Sequence, residues 1–128
     1  MSDIERIEVN QRLSRAVICN GIVYLCGLTA DDLNLDVRGQ TAEALAKVEK
    51  YLAAAGTNKS RLLTTQIWLK DIARDFAGMN EIWDAWTVAD ACPTRATAQC
   101  EMASPNILVE IIVTAAASPP YSQINGST

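Results

Sequence analysis

The chain of 128 residues contains no histidine. That removes histidine-based triads and the side chain that most often moves protons near neutral pH. Catalysis, if present, must rest on carboxylates, thiols, backbone groups and bound water. The four cysteines, Cys19, Cys26, Cys92 and Cys100, show no CxxC spacing, so a zinc site would have to be assembled from scattered thiolates. No metal is expected. Cys19, Cys26 and Cys100 lie in apolar runs, where a free cysteine behaves as a small hydrophobe. There is no long basic run, and the formal net charge is -4. Nucleic-acid binding draws on clustered Lys and Arg, so that partner is not expected, whereas a single arginine suffices for a small acid. No apolar run approaches the length of a membrane span, and MSDIERIEVNQ carries early charges where a signal peptide would be apolar. The expected setting is a reducing cytoplasm, with no membrane partner.

What is present is a core. Apolar residues make up 49% of the chain, enough for one domain over residues 1–117. Residues 118–128, SPPYSQINGST, are polar and proline-bearing and read as a loose tail. Residues 4–9 suggest a short strand. RAVICNGIVYLCG places Asn20-Gly21 between two apolar runs, a strong hairpin signal. Asp36 is a suitable N-cap for a helix to about Ala55, stopped by Gly56, with Thr41, Ala44, Leu45, Val48, Leu52 and Ala55 on one stripe. LLTTQIWL reads as a strand with Leu63, Thr65, Ile67 and Leu69 on one face. Asp75 is expected to cap a second helix bearing Phe76, Met79, Asn80, Trp83, Trp86 and Thr87. Two further strands, 95–102 and 107–115, follow Pro93 and are joined by the turn Ser104-Pro105-Asn106. This order predicts an α+β fold with both helices on one face of a mixed sheet. The other face combines Trp68, Leu108 and Ile112 with polar groups, a mixture best accounted for by an oligomer with pockets between subunits.

Two charged residues stand out. In CPTRATAQCEM the alternation puts Arg95, Thr97, Gln99 and Glu101 on one side of a strand. In ILVEIIV, Glu110 is flanked by apolar residues. If the two strands pair as a hairpin, Gln99 falls near Glu110 and Arg95 near Thr114. Arg95 and Glu110 then share a face about 13 Å apart at strand rise, too far for an ion pair. Arg95 is either a surface or interface cation or a bidentate clamp on a substrate carboxylate. Glu110 is either a paired interface carboxylate or a partly desolvated group able to help water attack.

RGQTAEALAKVEKYLAAAG, LLTTQIWLKDIARDFAGMNEIWDAW, PTRATAQC and ILVEIIVTA resemble the RidA/YjgF family of reactive-intermediate deaminases over residues 12–117. KSRLLTTQIWL, FAGMNEIWDAW and PTRATAQ are most similar to its YoaB-like branch. The resemblance implies a chorismate-mutase-like subunit, a homotrimer with sites in the clefts between subunits, and cofactor-free hydrolysis of enamines and imines such as 2-aminoacrylate to 2-keto acids and ammonia. It implies that Arg95 binds the substrate carboxylate and Glu110 positions water, with Gly27, Cys26, Asn80, Thr97 and Leu13 around the ligand. Leu13 stands where the family commonly has a pocket tyrosine, Cys26-Gly27-Leu28 replaces Ser-Gly-Gln, and Thr97 replaces a frequent cysteine. A non-catalytic carboxylate-binding trimer is the alternative, and an endoribonuclease a distant third.

Overall fold

In the structure, a computed structural model that describes residues 3–119, the chain opens with strand β1 (Ile4–Val9) and a hairpin of β2 (Ser14–Cys19) and β3 (Ile22–Leu25). Asn20 and Gly21 form the hairpin turn at φ 52° and 79°. Positive φ at both positions matches the turn's twist to that of paired strands, which is why an Asn-Gly pair sits there. Helix α1 (Val37–Ala54) starts where the Asp36 side chain accepts a hydrogen bond from the Gly39 amide. It ends at Ala55, followed by Gly56 at φ 80°. Strand β4 (Leu62–Leu69), helix α2 (Ile72–Trp86), strand β5 (Thr94–Gln99) and strand β6 (Val109–Ala116) complete the order.

The sheet runs β1-β2-β3-β6-β4-β5. Strands β4 and β5 pair in parallel and the other neighbours are antiparallel, so the sheet is mixed. Both helices cover one face. Ala44, Leu45, Val48 and Leu52 of α1 and Met79 and Trp83 of α2 are buried with Val23, Ile67, Leu69, Ile111 and Val113 of the sheet. Each such side chain contributes roughly 1.5–3 kcal/mol by leaving water.

Several expectations need correction. The last two strands do not form a hairpin: β6 inserts between β3 and β4, and β5 lies outside β4. Composition explains the arrangement. VEIIVTAA is apolar enough for a central position, whereas the short polar TRATAQ suits an edge. Strand β6 begins at Val109 rather than at residue 107, and Leu108 precedes it, packed against the core. Helix α2 starts one turn earlier than expected, with Asp71 as its N-cap accepting from Arg74 N. Asp75 is instead buried in the first turn, hydrogen-bonded by the Arg74 guanidinium. In β4 an irregularity between Leu62 and Thr64 buries Leu62 and leaves Leu63 exposed, off the face shared by Thr65, Ile67 and Leu69. The expected tail lies, from residue 120 onward, outside the described residues.

Candidate functional site

Residues paired across strands share a sheet face. Arg95 is opposite Thr65, and Thr65 is opposite Val113, both on the helix-covered face. Arg95 therefore points to the side of α2, at the open flank of edge strand β5. Its guanidinium carbon lies 5.6 Å from the Trp83 ring centroid and 5.9 Å from that of Phe76. Cation–π contact of this kind, worth about 0.5–2 kcal/mol, steadies the guanidinium without using its N–H donors. Among the described residues Arg95 forms no ion pair.

Four buried side-chain oxygens lack partners among the described residues, Thr41 Oγ1 on α1 and three on the elements that carry or face Arg95. Thr65 Oγ1, Thr97 Oγ1 and Asn80 Oδ1 are buried and make no hydrogen bond. Thr97 is two residues from Arg95 on the same strand face, and Asn80 sits between Phe76 and Trp83 on one stripe of α2. Each orphaned buried group costs about 1–3 kcal/mol, and a ligand that reached Thr97, Thr65 and Asn80 from the Arg95 side would supply the missing bonds. Gln99, expected near Glu110, instead turns to α2 and accepts from the Ile72 amide at 2.9 Å.

Glu110 lies on the opposite face, level with Trp68. Its carboxylate rests against Gly27, where any Cβ would collide with it. Gly27 is held there because Leu28 and Ile111 exchange two backbone hydrogen bonds of 2.9 Å. Burial pushes the Glu110 carboxyl above the usual glutamate range. Cys26 adjoins Gly27, and its Sγ accepts a weak hydrogen bond from Arg15 Nη1 at 3.8 Å. Leu13 projects from the β1–β2 turn, 41% exposed, in a loop closed by Asn10 Oδ1 accepting from the Arg12 and Leu13 amides.

The structure thus gathers Arg95, Thr97 and Asn80 in one half-site and Glu110, Gly27 and Cys26 in another. It does not bring the halves together. They face opposite sides of the sheet, two strands or roughly 10 Å apart, and are offset by about 10 Å along the strands. The expected shared face is therefore corrected, because β5 pairs with β4 in a register that turns its odd positions inward. The aromatic platform of Phe76 and Trp83 was invisible as such in the sequence, where the stripe reads as packing. Arg15 carried no signal beyond being a cation in a strand.

Among the described residues no group of three or more Cys, Asp or Glu is placed to hold a metal ion, and no helix is long and apolar enough to cross a membrane. A groove of about 600 Å³ lined by Lys50, Asn58, Lys59 and Val88 lies beside α1, away from both halves. Its polar groups are largely engaged: Lys59 Nζ donates to Trp86 O and Thr57 Oγ1 to Ala116 O. The unpaired arginine and the partly buried glutamate, rather than this groove, make the candidate site.

Comparison with known proteins places the chain in context. The family model described as Endoribonuclease L-PSP matches residues 3–117. The RutC family protein YoaB of Escherichia coli is 42% identical over 113 residues, covering 88% of this chain and 97% of that protein. The crystal structure of a YjgF-family protein from Neisseria meningitidis superposes with a TM-score of 0.88 at 36% identity, covering 91% of this chain and 97% of that one. The chloroplastic Reactive Intermediate Deaminase A of Arabidopsis thaliana is 32% identical over 104 residues, 77% of this chain and 54% of that protein.

Proposed function

The chain belongs to the Endoribonuclease L-PSP family, the RidA/YjgF group, and on that premise we propose that it hydrolyses reactive 2-imino and enamine carboxylates to 2-keto acids and ammonia. The observation that carries this reading is the Arg95 guanidinium without an ion pair, set beside the Trp83 and Phe76 rings on elements that also bear buried oxygens without partners. Its fork matches a carboxylate with two parallel hydrogen bonds. An imine carbon is already electrophilic, so orientation and a well-placed water supply most of the catalysis, with no cofactor. Glu110 takes a proton as water adds to C2. The carbinolamine nitrogen gains a proton, the C–N bond breaks, and ammonia leaves. An imine and one water thus become a keto acid and one ammonia, with no change of oxidation state. An enamine first tautomerises to the imine.

One molecule of substrate cannot span both half-sites of a single chain. We therefore read the active unit as a homotrimer in which Arg95, Thr97 and Asn80 of one copy face Glu110, Gly27 and Cys26 of the next. Leu13, on an exposed turn, is then a candidate wall of the cleft. A second reading, binding without turnover, is favoured by Leu13 itself, an aliphatic residue where the family resemblance leads one to expect tyrosine. Keto-acid release from freshly generated 2-aminoacrylate separates the two. Turnover abolished by Arg95→Ala is the expected result. Arg95-dependent binding of pyruvate with no acceleration of hydrolysis would establish the binding module instead. The family's endoribonuclease label finds little purchase in a chain of net charge -4 without histidine.

A further inference from the structure

We propose that the cleft takes a short imino dicarboxylate, with Arg15 reading the second carboxylate; this rests on the deaminase reading above. Arg15 stands on β2 directly across from Cys26, whose amide donates to the Arg15 carbonyl at 3.0 Å. The next residue, Ala16, is buried and pairs with buried Leu25, so Ala16 faces the helices. By alternation Arg15 faces the other way, onto the face that bears Glu110. That face presents the Glu110 carboxylate against the bare backbone of Gly27, and the Arg15 guanidinium lies nearby, bonded to the thiol of Cys26, which itself packs against the edge of the core.

Arg15 is half-buried, and its one side-chain hydrogen bond among the described residues is to the Cys26 sulfur, 3.8 Å away. A thiol is a weak acceptor, and a guanidinium has five N–H donors, so most of its capacity is unspent. Glu8 of β1 and the Tyr51 hydroxyl of α1 are near enough to favour its charge, but among the described residues neither they nor Glu110 form an ion pair or hydrogen bond with it. An anion meeting this partly desolvated cation gains more than it would at a fully exposed one.

The path of the substrate then sets its size. With its 2-carboxylate on Arg95 of the neighbouring copy and C2 beside Glu110, the side chain leaves along Gly27 and Cys26. Glu110 on β6 and Arg15 on β2 stand two strands, roughly 10 Å, apart at the backbone, and the reach of the Arg15 side chain to Cys26 with the contact distance at each end shortens the remaining gap to one that a short side chain covers. The matching substrate is a four- or five-carbon imino diacid. A monocarboxylic imine leaves the Arg15 fork without a partner.

The test compares iminosuccinate and 2-iminopropionate, generated in situ by amino-acid oxidases, on the purified protein and on Arg15→Gln and Arg15→Lys. The expected result is a higher kcat/KM for iminosuccinate. Arg15→Gln lowers the ratio of the two values about tenfold or more, and Arg15→Lys recovers part of it. If Arg15 only supports the fold, both substrates suffer together and an unmoved ratio overturns the inference. Calorimetric titration with oxaloacetate and pyruvate keeps the question answerable without turnover. An Arg15-dependent preference for oxaloacetate in a protein that hydrolyses neither imine upholds the diacid site and refutes the deaminase reading. Turnover of both imines with no preference refutes the diacid site and spares that reading.

Discussion

Arg95 is marked by two aromatic rings beside it, by buried oxygens without partners on its own strand and on α2, and by the lack of an ion pair among the described residues. Lysine can supply the charge but neither the fork nor the stacking. Arg95→Lys is therefore expected to lose at least about tenfold in kcat/KM, and Arg95→Ala about a hundredfold or more, in steady-state assays of imine hydrolysis. A fully active Arg95→Lys would show that a point charge suffices. Glu110 makes the complementary case. Its carboxyl titrates above its unfolded value because burial disfavours the charged form. A group with a raised folded pKa contributes stability that is present below the unfolded pKa and is lost as pH rises through the folded one. The neutral isostere Glu110→Gln should thus melt at a higher temperature than the wild type at neutral pH, the gap closing as pH falls through the raised folded value to the ordinary glutamate range. Thermal melts across that range check the sign, and a gap that widens on acidification would be incompatible with a desolvated carboxylate. Both residues were legible as oddities in the sequence, an arginine opening a strand and a glutamate inside an apolar run. The aromatic platform was not, because a helix stripe looks the same whether it carries a neighbour's side chain or a ligand's anchor.

At the scale of elements, the buried amide of Gln40 joins segments distant in sequence. Its Nε2 donates to the carbonyls of Leu35 and Asn106 at 3.0 Å, and its Oε1 accepts from the Leu108 amide at 2.9 Å. This one side chain ties α1 to the loop before it and to the segment that launches β6 two residues ahead of Glu110. Gln40→Ala strands those backbone groups and should cost about 3 kcal/mol or more in denaturant unfolding. A loss under about 1 kcal/mol would mean that water replaces the clamp. The Asn20-Gly21 hairpin and the Asp36 cap could be read in advance, since turn and cap chemistry is local. The pairing of β5 could not, since which strands become neighbours depends on contacts far apart in sequence. The polarity of TRATAQ against the apolarity of VEIIVTAA held the clue, as edges tolerate polar residues and central strands do not. Likewise Asp71 and Asp75 both suit an N-cap; the choice fell to Asp71, where Gln99 of β5 also reaches the Ile72 amide.

For the whole molecule, the separation of Arg95 from Glu110 makes a demanding prediction. If each cleft draws Arg95 from one copy and Glu110 from the next, two inactive variants should rescue each other. Arg95→Ala and Glu110→Gln, unfolded together and refolded as a mixture, would place both wild-type side chains in about a quarter of the clefts of a random ring. Activity should return to that order, whereas either variant refolded alone stays inactive. A mixture as dead as its components would put the two residues to work within one chain, against the geometry of the sheet. The sequence leads to the expectation of an assembly through the mixed character of the open face, and the structure puts Trp68, Ile112 and Glu110 on that face as expected. The sequence mistook which face carries Arg95.

Each half-site also contains its own indole. Trp83 lies under the Arg95 guanidinium and 5.6 Å from Trp86, while Trp68 sits across from Glu110 on the far face. The emission of an indole responds to nearby charge, so light can report the occupancy of either half without any label. With Trp68→Phe the signal comes from the Arg95 side, and with Trp83 and Trp86 both replaced by phenylalanine it comes from the Glu110 side. The chain carries three tryptophans and no others, so its optical spectrum divides along the same line as its chemistry.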